Sequence, residues 1–518
     1  MTSTSKTSAQ ASSGGSEAVP VTESVATILL TAERATRLRV CPLRIEEGTL
    51  VLGMVDPGDF GASDEVAVVT GRPVEPAPIS EDVFAELMRT CYGTTAAAMA
   101  ARLGGGGEGS ADDLIANLEA VETDDLHRMA EQPSLINLVN LIIVEAIRAR
   151  ASDIHVEPFE KELKVKYRID GVLKEQSPPP KHLQPAITSR IKIIGAMNIA
   201  ERYVPQDGHI TLRYEGRKID IRVSTVPTLY GESVVMRILD KESVKLSLEN
   251  LGFREEDRKD IARIISVPHG MFLVTGPTGS GKTTTLYTCL SMVTDPTKKV
   301  ITIEDPVEYE LNGVNQIPVN PKRGLSFATG LRSILRQDPD IVMVGEIRDG
   351  ETAEISVRAA LTGHMIFSTL HTNNAAAAPG RMMDMGIEPF LLASVLEGIL
   401  GQRLGRRICA HCRRDFPVPP EAFERMIESE RALFRAAYKG TGCDQCDNTG
   451  FRGRVSFCEL FPSNPGFRAA IGERRSAFEI LKTAPASFVT MRRDGLIKAA
   501  AGVTTLSEVF RATQDTGE

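Results

Sequence analysis

The sequence predicts a multidomain α/β protein whose centre is a parallel sheet bearing a phosphate-binding loop, and three observations predict it. Four runs of continuous apolar character, MFLVT at 271 to 275, KVITI at 299 to 303, IVMV at 341 to 344 and MIFSTL at 365 to 370, are separated by helical segments, the pattern of strands buried on both faces. The first run leads directly into Gly276-Pro277-Thr278-Gly279-Ser280-Gly281-Lys282-Thr283, followed by a stretch free of Gly and Pro. Further on, Cys409/Cys412 and Cys443/Cys446 form two C-x-x-C pairs.

The chain has 518 residues, 42% hydrophobic and 25% charged, too many for one core and enough for roughly three or four domains. The first 20 residues, rich in Ser, Thr, Ala and Gly, lack the apolar segment of a secretory signal and read as a disordered tail (1–20). Residues 21–95 alternate short apolar runs with turns and close on a helix from Asp82 to Cys91, giving a small α+β unit. An alanine-rich stretch and Gly104 to Gly107 then mark a flexible linker over 96–130.

A second α+β domain, 131–245, opens with a helix from Ser134 to Arg150. It continues through strand-like runs from His155, His209 and Ser233. The alternation in KIDIRVS places Lys218, Asp220, Arg222 and Ser224 on one face and Ile219, Ile221 and Val223 on the other, a half-buried antiparallel sheet. The P-loop domain occupies 246–400, a tetracysteine subdomain 401–460 and a helical region 461–518.

Composition excludes several classes. A net charge of -8, 5% aromatics and no Trp leave no basic footprint and few stacking platforms, so nucleic acid is not an expected partner. No run approaches the roughly 18 apolar residues of a membrane span, so any membrane association is expected through partners. Of eight cysteines, four pair as C-x-x-C while Cys41, Cys91, Cys289 and Cys458 are scattered, which suits a reducing cytoplasm with one metal site.

G-x-x-x-x-G-K-[ST] between a buried strand and a helix carries specific chemistry. Its glycines let backbone N–H groups turn inward around phosphates and the helix N-terminus adds positive potential. Lys282 reaches the β and γ phosphates, and the Thr283 hydroxyl ligates Mg²⁺. Hydrolysis further needs a carboxylate to orient or deprotonate water. Glu346, in Gly345-Glu346-Ile347-Arg348-Asp349 after the strand 341 to 344, is the first choice. Glu304 and Glu308, after the strand 299 to 303, are candidates for a metal-proximal role. In the last strand, Ser368, Thr369, His371 and Asn373 gather polar groups that could sense the γ-phosphate or an adjacent subunit. Cys409, Cys412, Cys443 and Cys446 can close a tetrahedral, structural Zn²⁺ site, with a redox disulfide pair or the substitution of His411 for one cysteine as the alternatives. The 30 intervening residues are expected to carry a helix over Glu421 to Tyr438, and Arg406, Arg407, Arg413 and Arg414 lie close enough in sequence to offset the thiolate charge.

GPTGSGKTTT, ITIEDPVEY, DPDIVMVGEIRDGETA and GHMIFSTLHTN occur in the order of the Walker A, Asp-box, Walker B and His-box motifs of the secretion ATPases. QRLGRRIC and CDQCDNTGFRGRVSFCEL resemble the type II secretion ATPases and the closely similar type IV pilus extension ATPases; the resemblance is strong from about Ser134 to Glu459. It implies a homo-hexamer with a RecA-like motor domain and a preceding PAS-like domain, with ATP held between them at Gly276 through Thr284.

It further implies nucleotide-site roles for Arg222 and Arg237 from the preceding domain, for Arg332 and Arg336 around the motor's own site, and for His371. Arg381 also matches, although Pro379-Gly380 replaces the helix-compatible residues usual before it. VLGMVDPGDF and VTGRPVEPAP resemble the family's recruitment domain, so 21–95 is expected to dock onto a cytoplasmic or inner-membrane linker protein. Residues 21–95 hold none of the repeated Arg-Leu-Gly motifs by which related domains bind cyclic di-GMP, so that nucleotide is not expected.

The implied function is a cytoplasmic ATPase using ATP, Mg²⁺ and Zn²⁺, peripheral to the inner membrane through partners. Acting on an inner-membrane platform protein, it would power assembly of a pseudopilus in type II secretion or of a type IV pilus. A retraction ATPase, a nucleotide-sensing scaffold without turnover and a DNA-translocating conjugation ATPase are the alternatives.

Overall fold

The computed structural model describes residues 30, 32–46, 48–92, 133–214, 217–240 and 247–513. The tail and linker expected over 1–20 and 96–130 lie outside these residues. The chain divides into two compact units, Met1–Asp240 and Lys241–Glu518.

The first unit begins with β1 (Val40–Glu46), β2 (Thr49–Met54) and β3 (Val74–Pro78), with α1 (Ala32–Leu38), α2 (Phe60–Thr70) and α3 (Glu81–Tyr92). β1 and β2 pair antiparallel, whereas β2 and β3 pair parallel across α2. The Asp59 carboxylate caps α2 by accepting from the Ala62 N–H at 3.0 Å, and Gly71 ends it in the left-handed region at φ 64°.

Next come α4 (Pro133–Arg148), α5 (Gln184–Ile194) and a fully antiparallel sheet ordered β6-β5-β4-β9-β8-β7. Its strands are β4 (Ala151–Pro158), β5 (Leu163–Ile169), β6 (Val172–Glu175), β7 (Gln206–Tyr214), β8 (Arg217–Thr228) and β9 (Gly231–Asp240). Ile219, Ile221 and Val223 of β8 enter the core as the alternation requires. Asp220, on the opposite face, is nonetheless buried and accepts from the Thr211 hydroxyl at 2.8 Å. The apolar stripe of α4 packs on this sheet, where the Tyr167 hydroxyl donates to the Ile142 carbonyl at 2.9 Å.

The second unit is built on a seven-stranded sheet ordered β12-β11-β13-β14-β10-β15-β18. Its strands are β10 (Gly270–Thr275), β11 (Val300–Glu304), β12 (Val314–Pro318), β13 (Ile341–Val344), β14 (Met365–Leu370), β15 (Leu396–Ile408) and β18 (Phe451–Pro462). All neighbours pair parallel except β15 and β18. The helices are α6 (Glu255–Ile265), α7 (Lys282–Val293), α8 (Phe327–Ile334), α9 (Gly350–Leu361), α10 (Ala378–Asp384) and α11 (Pro389–Val395).

The apolar runs are continuous because both faces are covered. Met271, Leu273, Ile301, Ile303, Val342 and Val344 share a core with α8, α9 and α11. Phe272, Val274, Val300, Ile341 and Met343 share another with α6 and α7.

β12, β15 and β18 add to the four strands legible in the sequence, and the expected division between 400 and 401 falls inside β15. The tetracysteine segment is thus an excursion from the sheet, leaving at the end of β15 and returning at the start of β18. It contains the hairpin β16 (Arg413–Phe416) and β17 (Ala437–Gly440). The single helix expected over Glu421 to Tyr438 is instead two short ones, α12 (Pro420–Glu424) and α13 (Glu428–Arg431), separated where Ile427 turns extended.

Among the described residues, β18 is followed by α14 (Pro465–Gly472), α15 (Ala477–Leu481), α16 (Met491–Ala500) and α17 (Leu506–Ala512). The α16 carboxylate Asp494 accepts from the Cys458 N–H of β18 at 2.9 Å and pairs with Lys498 at 2.5 Å. Cys41, Cys289 and Cys458 are buried packing residues. No helix among the described residues is long and apolar enough to cross a membrane.

Candidate nucleotide site and cysteine cluster

Parallel strands collect their ligands at their C-terminal ends, and here β10, β11, β13, β14 and β15 deliver the chemistry to one edge. β10 ends at Thr275, opposite Leu370 of β14 and Gly401 of β15. The Thr275 hydroxyl donates to the Thr372 carbonyl at 2.9 Å, fastening the root of the loop to the segment after β14.

Gly276, Gly279 and Gly281 take φ of 151°, 78° and 88°, which a Cβ would strain. At Gly276 a Cβ would also lie 2.4 Å from the Gln402 carbonyl oxygen. Gly281 precedes α7 without a side-chain cap, so the first N–H groups of that helix remain free for an anion.

Lys282 is 9% exposed and its amine donates to the Gly276 and Pro277 carbonyls at 2.8 and 3.0 Å. Burial lowers its pKa to about 8, with Glu346 opposing the shift and Arg403 adding to it. The buried Ser280 hydroxyl has no partner within the protein. Pro277, Thr278 and Thr283 are exposed, Thr284 is half-buried, and the Thr284 carbonyl accepts from Thr288 at 2.8 Å. Free N–H groups, an amine resting on loop carbonyls, an orphaned hydroxyl and an exposed Thr283 fit a polyphosphate with its Mg²⁺.

Glu346, just beyond β13, is bonded to Arg348, and its other oxygen meets His371 Nε2 at 3.2 Å. Burial opposes its ionisation, yet Arg348 and His371 outweigh this and hold the carboxyl below its usual range. Arg348 also faces Asp305 at 3.8 Å. The structure therefore gathers Lys282, Glu346 and His371 from three separated motifs.

Ser368 and Thr369 do not join them. Their hydroxyls donate at 2.8 Å to the carbonyls of Val344 and Gly345, so they lock β14 to β13.

Glu304 is 2% exposed. One oxygen accepts from the Thr302 hydroxyl at 2.5 Å and from Gln316 Nε2 at 3.1 Å, and the other accepts from the Tyr287 hydroxyl. Burial and Glu304 push the Tyr287 phenol far above its ordinary pKa, making it a permanent donor. Its oxygen also accepts from the Glu308 N–H at 3.2 Å, placing half-buried Glu308 beside this network.

Arg222 and Arg237 are directly opposed on β8 and β9, and Arg237 pairs with Asp153 of β4 at 3.0 Å, offsetting two like charges. Arg332 is bonded to Glu351, and Arg336 donates to the Arg332 carbonyl at 2.9 Å and to Ser333 at 3.2 Å. Exposed Arg381 lies in α10, whose first turn accommodates Pro379 without a lost hydrogen bond. Sequence reasoning assigned no role to Tyr287, Gln316, Arg348, Gln402 or Arg403. Only Arg348, two residues from Glu346, carried a local signal.

Cys409, Cys412, Cys443 and Cys446 place their sulfurs within 4.8 Å of one another. The Sγ separations of 3.8, 3.8 and 3.7 Å for Cys409–Cys443, Cys412–Cys446 and Cys443–Cys446 match the edge of a tetrahedron with metal–sulfur bonds of about 2.3 Å. The cluster fits Zn²⁺.

The nearby arginines serve other partners. Arg406 bonds Glu508 at 2.8 Å and stacks on Phe451, Arg413 donates to the Gly502 carbonyl at 3.4 Å and Arg414 to the Arg413 carbonyl at 3.1 Å. The Gly450 N–H instead donates to the Cys446 sulfur at 3.3 Å.

Residues 128–511 match the family model described as Type II/IV secretion system protein, and 16–98 match the MshEN domain. The chain is 45% identical to Type II secretion system protein E of Pseudomonas aeruginosa, over 88% of this chain and 91% of that protein. It is 42% identical to the Type IV pilus assembly ATPase PilB of Myxococcus xanthus, over 94% and 86%. Among solved structures, the pilus retraction motor PilT with bound ADP is similar at a TM-score of 0.51 and 28% identity, covering 72% of this chain and 96% of that one. The ATPase DotB of Legionella pneumophila shares the fold at a TM-score of 0.54 and 21% identity, covering 71% and 93%.

Proposed function

The chain belongs to the type II/IV secretion system protein family, ATP-hydrolysing P-loop enzymes with a RecA-like motor, and on that premise we propose that it is a cytoplasmic, hexameric assembly motor. It hydrolyses ATP to add pseudopilin or pilin subunits to a filament in type II secretion or type IV pilus biogenesis. The observation that carries this reading is the meeting of Glu346 with His371 beside the buried amine of Lys282.

Glu346, held ionised, takes the role of the base or water-orienting carboxylate. His371 fixes its orientation and can report the occupancy of the γ-phosphate position. Lys282 leaves the Gly276 and Pro277 carbonyls for the β and γ phosphates, while N–H groups from Gly276 to Thr284 cradle the chain of phosphates. Mg²⁺ supplies charge neutralisation there, with Thr283 as its protein ligand. Glu304 and Glu308 shape the metal-proximal wall through Tyr287. On the family resemblance, Arg222, Arg237, Arg332 and Arg336 are assigned phosphate-site roles; their planar guanidinium groups suit the spread charge of a transferring phosphoryl group.

Zn²⁺ is structural, since four thiolates leave no open position. The partners are an inner-membrane platform protein and, through the N-terminal domain, a linker protein of the same machine, with membrane contact only through these. Assembly is favoured over retraction because the relatives at 42 to 45% identity over 88 to 94% of this chain carry secretion or assembly names, whereas the retraction motor matches at 28% over 72% of it.

The test is Mg²⁺-dependent phosphate release by the purified chain, together with complementation of a deletion strain. Wild type should restore secretion or piliation and Glu346→Gln should not. Wild-type turnover by Glu346→Gln would overturn the assignment of the base.

A further inference from the structure

Arg403 lies where the sheet brings β15 past the mouth of the P-loop. The pairing of Thr275 with Gly401 puts Gln402 and Arg403 just beyond the C-terminal end of β10. Gln402 is locked to the nucleotide loop: its side-chain oxygen accepts from the Thr285 hydroxyl of α7 at 2.8 Å, and its backbone abuts Gly276. Alternation along β15 turns the next side chain to the opposite face. There the Arg403 guanidinium donates through Nη2 to the Asn373 carbonyl at 3.2 Å, in the segment after β14.

Its Nη1 is buried and has no hydrogen-bond partner. The carboxylate near enough to favour its charge, Glu459, accepts instead from the N–H groups of Ala375 and Met491 at 2.8 and 3.0 Å. Burial nevertheless dominates and draws the guanidinium below its ordinary pKa. Arg403 is also close enough to Lys282 to disfavour the charge on that amine. A guanidinium at the edge of the P-loop, with an orphaned buried donor and no carboxylate bonded to it, leaves a donor that an anion at that edge would satisfy.

We propose that Arg403 is a phosphate-contacting residue of the nucleotide site, a second cation from the same chain beside Lys282 that binds the polyphosphate of ATP. The proposal rests on the reading of the P-loop as an ATP site. It assigns a task within the motor to QRLGRRIC, a segment that otherwise carries family resemblance and leads into the first cysteine knuckle.

The test measures binding of ATP and of inorganic tripolyphosphate to the full chain with Mg²⁺, by displacement of a fluorescent nucleotide, together with the melting temperature without ligand. Arg403→Gln should weaken both ligands by about 10- to 100-fold, the range for a charged hydrogen bond. Its ligand-free melting temperature should equal or exceed that of wild type, because an unpaired buried donor is removed.

Unchanged affinity with a lowered melting temperature would make Arg403 a structural residue and overturn the proposal. So would weakened ATP with undiminished tripolyphosphate binding. If Arg403→Gln does not fold, Arg403→Lys keeps the charge and loses the planar fork; affinity lower by about threefold or more supports the contact, and wild-type affinity overturns it. Failure of wild type itself to bind either ligand would instead overturn the ATP-site reading.

Discussion

The depressed amine of Lys282 makes nucleotide affinity a function of pH in a window that the structure names. Without ligand its pKa is about 8; beside several phosphate oxygens it returns to at least its ordinary value of about 10.4. That difference corresponds to about 3 kcal/mol of coupling between proton and nucleotide. The ligand-free amine is about three-quarters charged at pH 7.5 and about one-tenth charged at pH 9, while the bound amine stays charged, so the Kd for ATP should rise about eightfold between those values. Starting at pH 7.5 keeps the terminal phosphate, whose second pKa is near 6, out of the comparison.

The sign for stability is opposite. Between pH 8 and about 10.4 the unfolded chain binds more protons than the fold, so ligand-free stability gains from this group as pH rises. The assay is equilibrium displacement of a fluorescent nucleotide at constant ionic strength and saturating Mg²⁺. Lys282→Arg, whose charge does not titrate in this range, supplies the control and should lose the eightfold trend. A wild-type Kd constant from pH 7.5 to 9 would refute the reasoning.

Glu346→Gln should lower kcat about 10²- to 10⁴-fold while ATP binding persists, as measured by phosphate release and by displacement. Cys409→Ser should reduce bound zinc from about one per chain to a small fraction and lower the melting temperature, read by metal analysis and thermal unfolding; retention of stoichiometric zinc would contradict the four-sulfur site. Glu508 is pressed towards protonation by burial, but Arg511 and Arg406 outweigh this and hold its pKa at about 2. Its stabilisation is therefore present above the unfolded carboxylate value of about 4.3 and lost as pH falls towards 2, so Glu508→Gln should cost up to about 3 kcal/mol at pH 7 and almost nothing near pH 2, measured by denaturant unfolding. Glu304→Gln should retain the Thr302 and Gln316 contacts better than Glu304→Ala does, so ligand-free melting should fall further in the alanine variant.

The features legible in the sequence share a cause: each depends on neighbours in the chain. The P-loop is a contiguous turn whose glycines, lysine and threonine act within one strand–helix junction. β10, β11, β13 and β14 announce themselves because covering both faces demands apolar residues at every position. The cysteine pairs declare themselves by a spacing that one knuckle needs. β12 was not legible, since its edge sequence VNQIP is half-exposed and polar. β15 escaped notice because three glycines dilute its apolar run.

What only the tertiary structure decided is which of these pieces meet. A parallel sheet joins strands through crossovers, so its spatial order departs from chain order, and here β14 and β15 flank β10 although they are 90 or more residues away from it. That order sets His371 against Glu346, brings Gln402 against Gly276 and carries Arg403 past the end of β10. It also gives Glu304 its partners Tyr287 and Gln316. The sequence by itself determined a phosphate loop, a parallel sheet and a four-sulfur cluster, all products of local pattern. The charge environment of Lys282 and Glu346 came from the fold, because burial and opposing charges at a strand edge are set by which strands lie side by side.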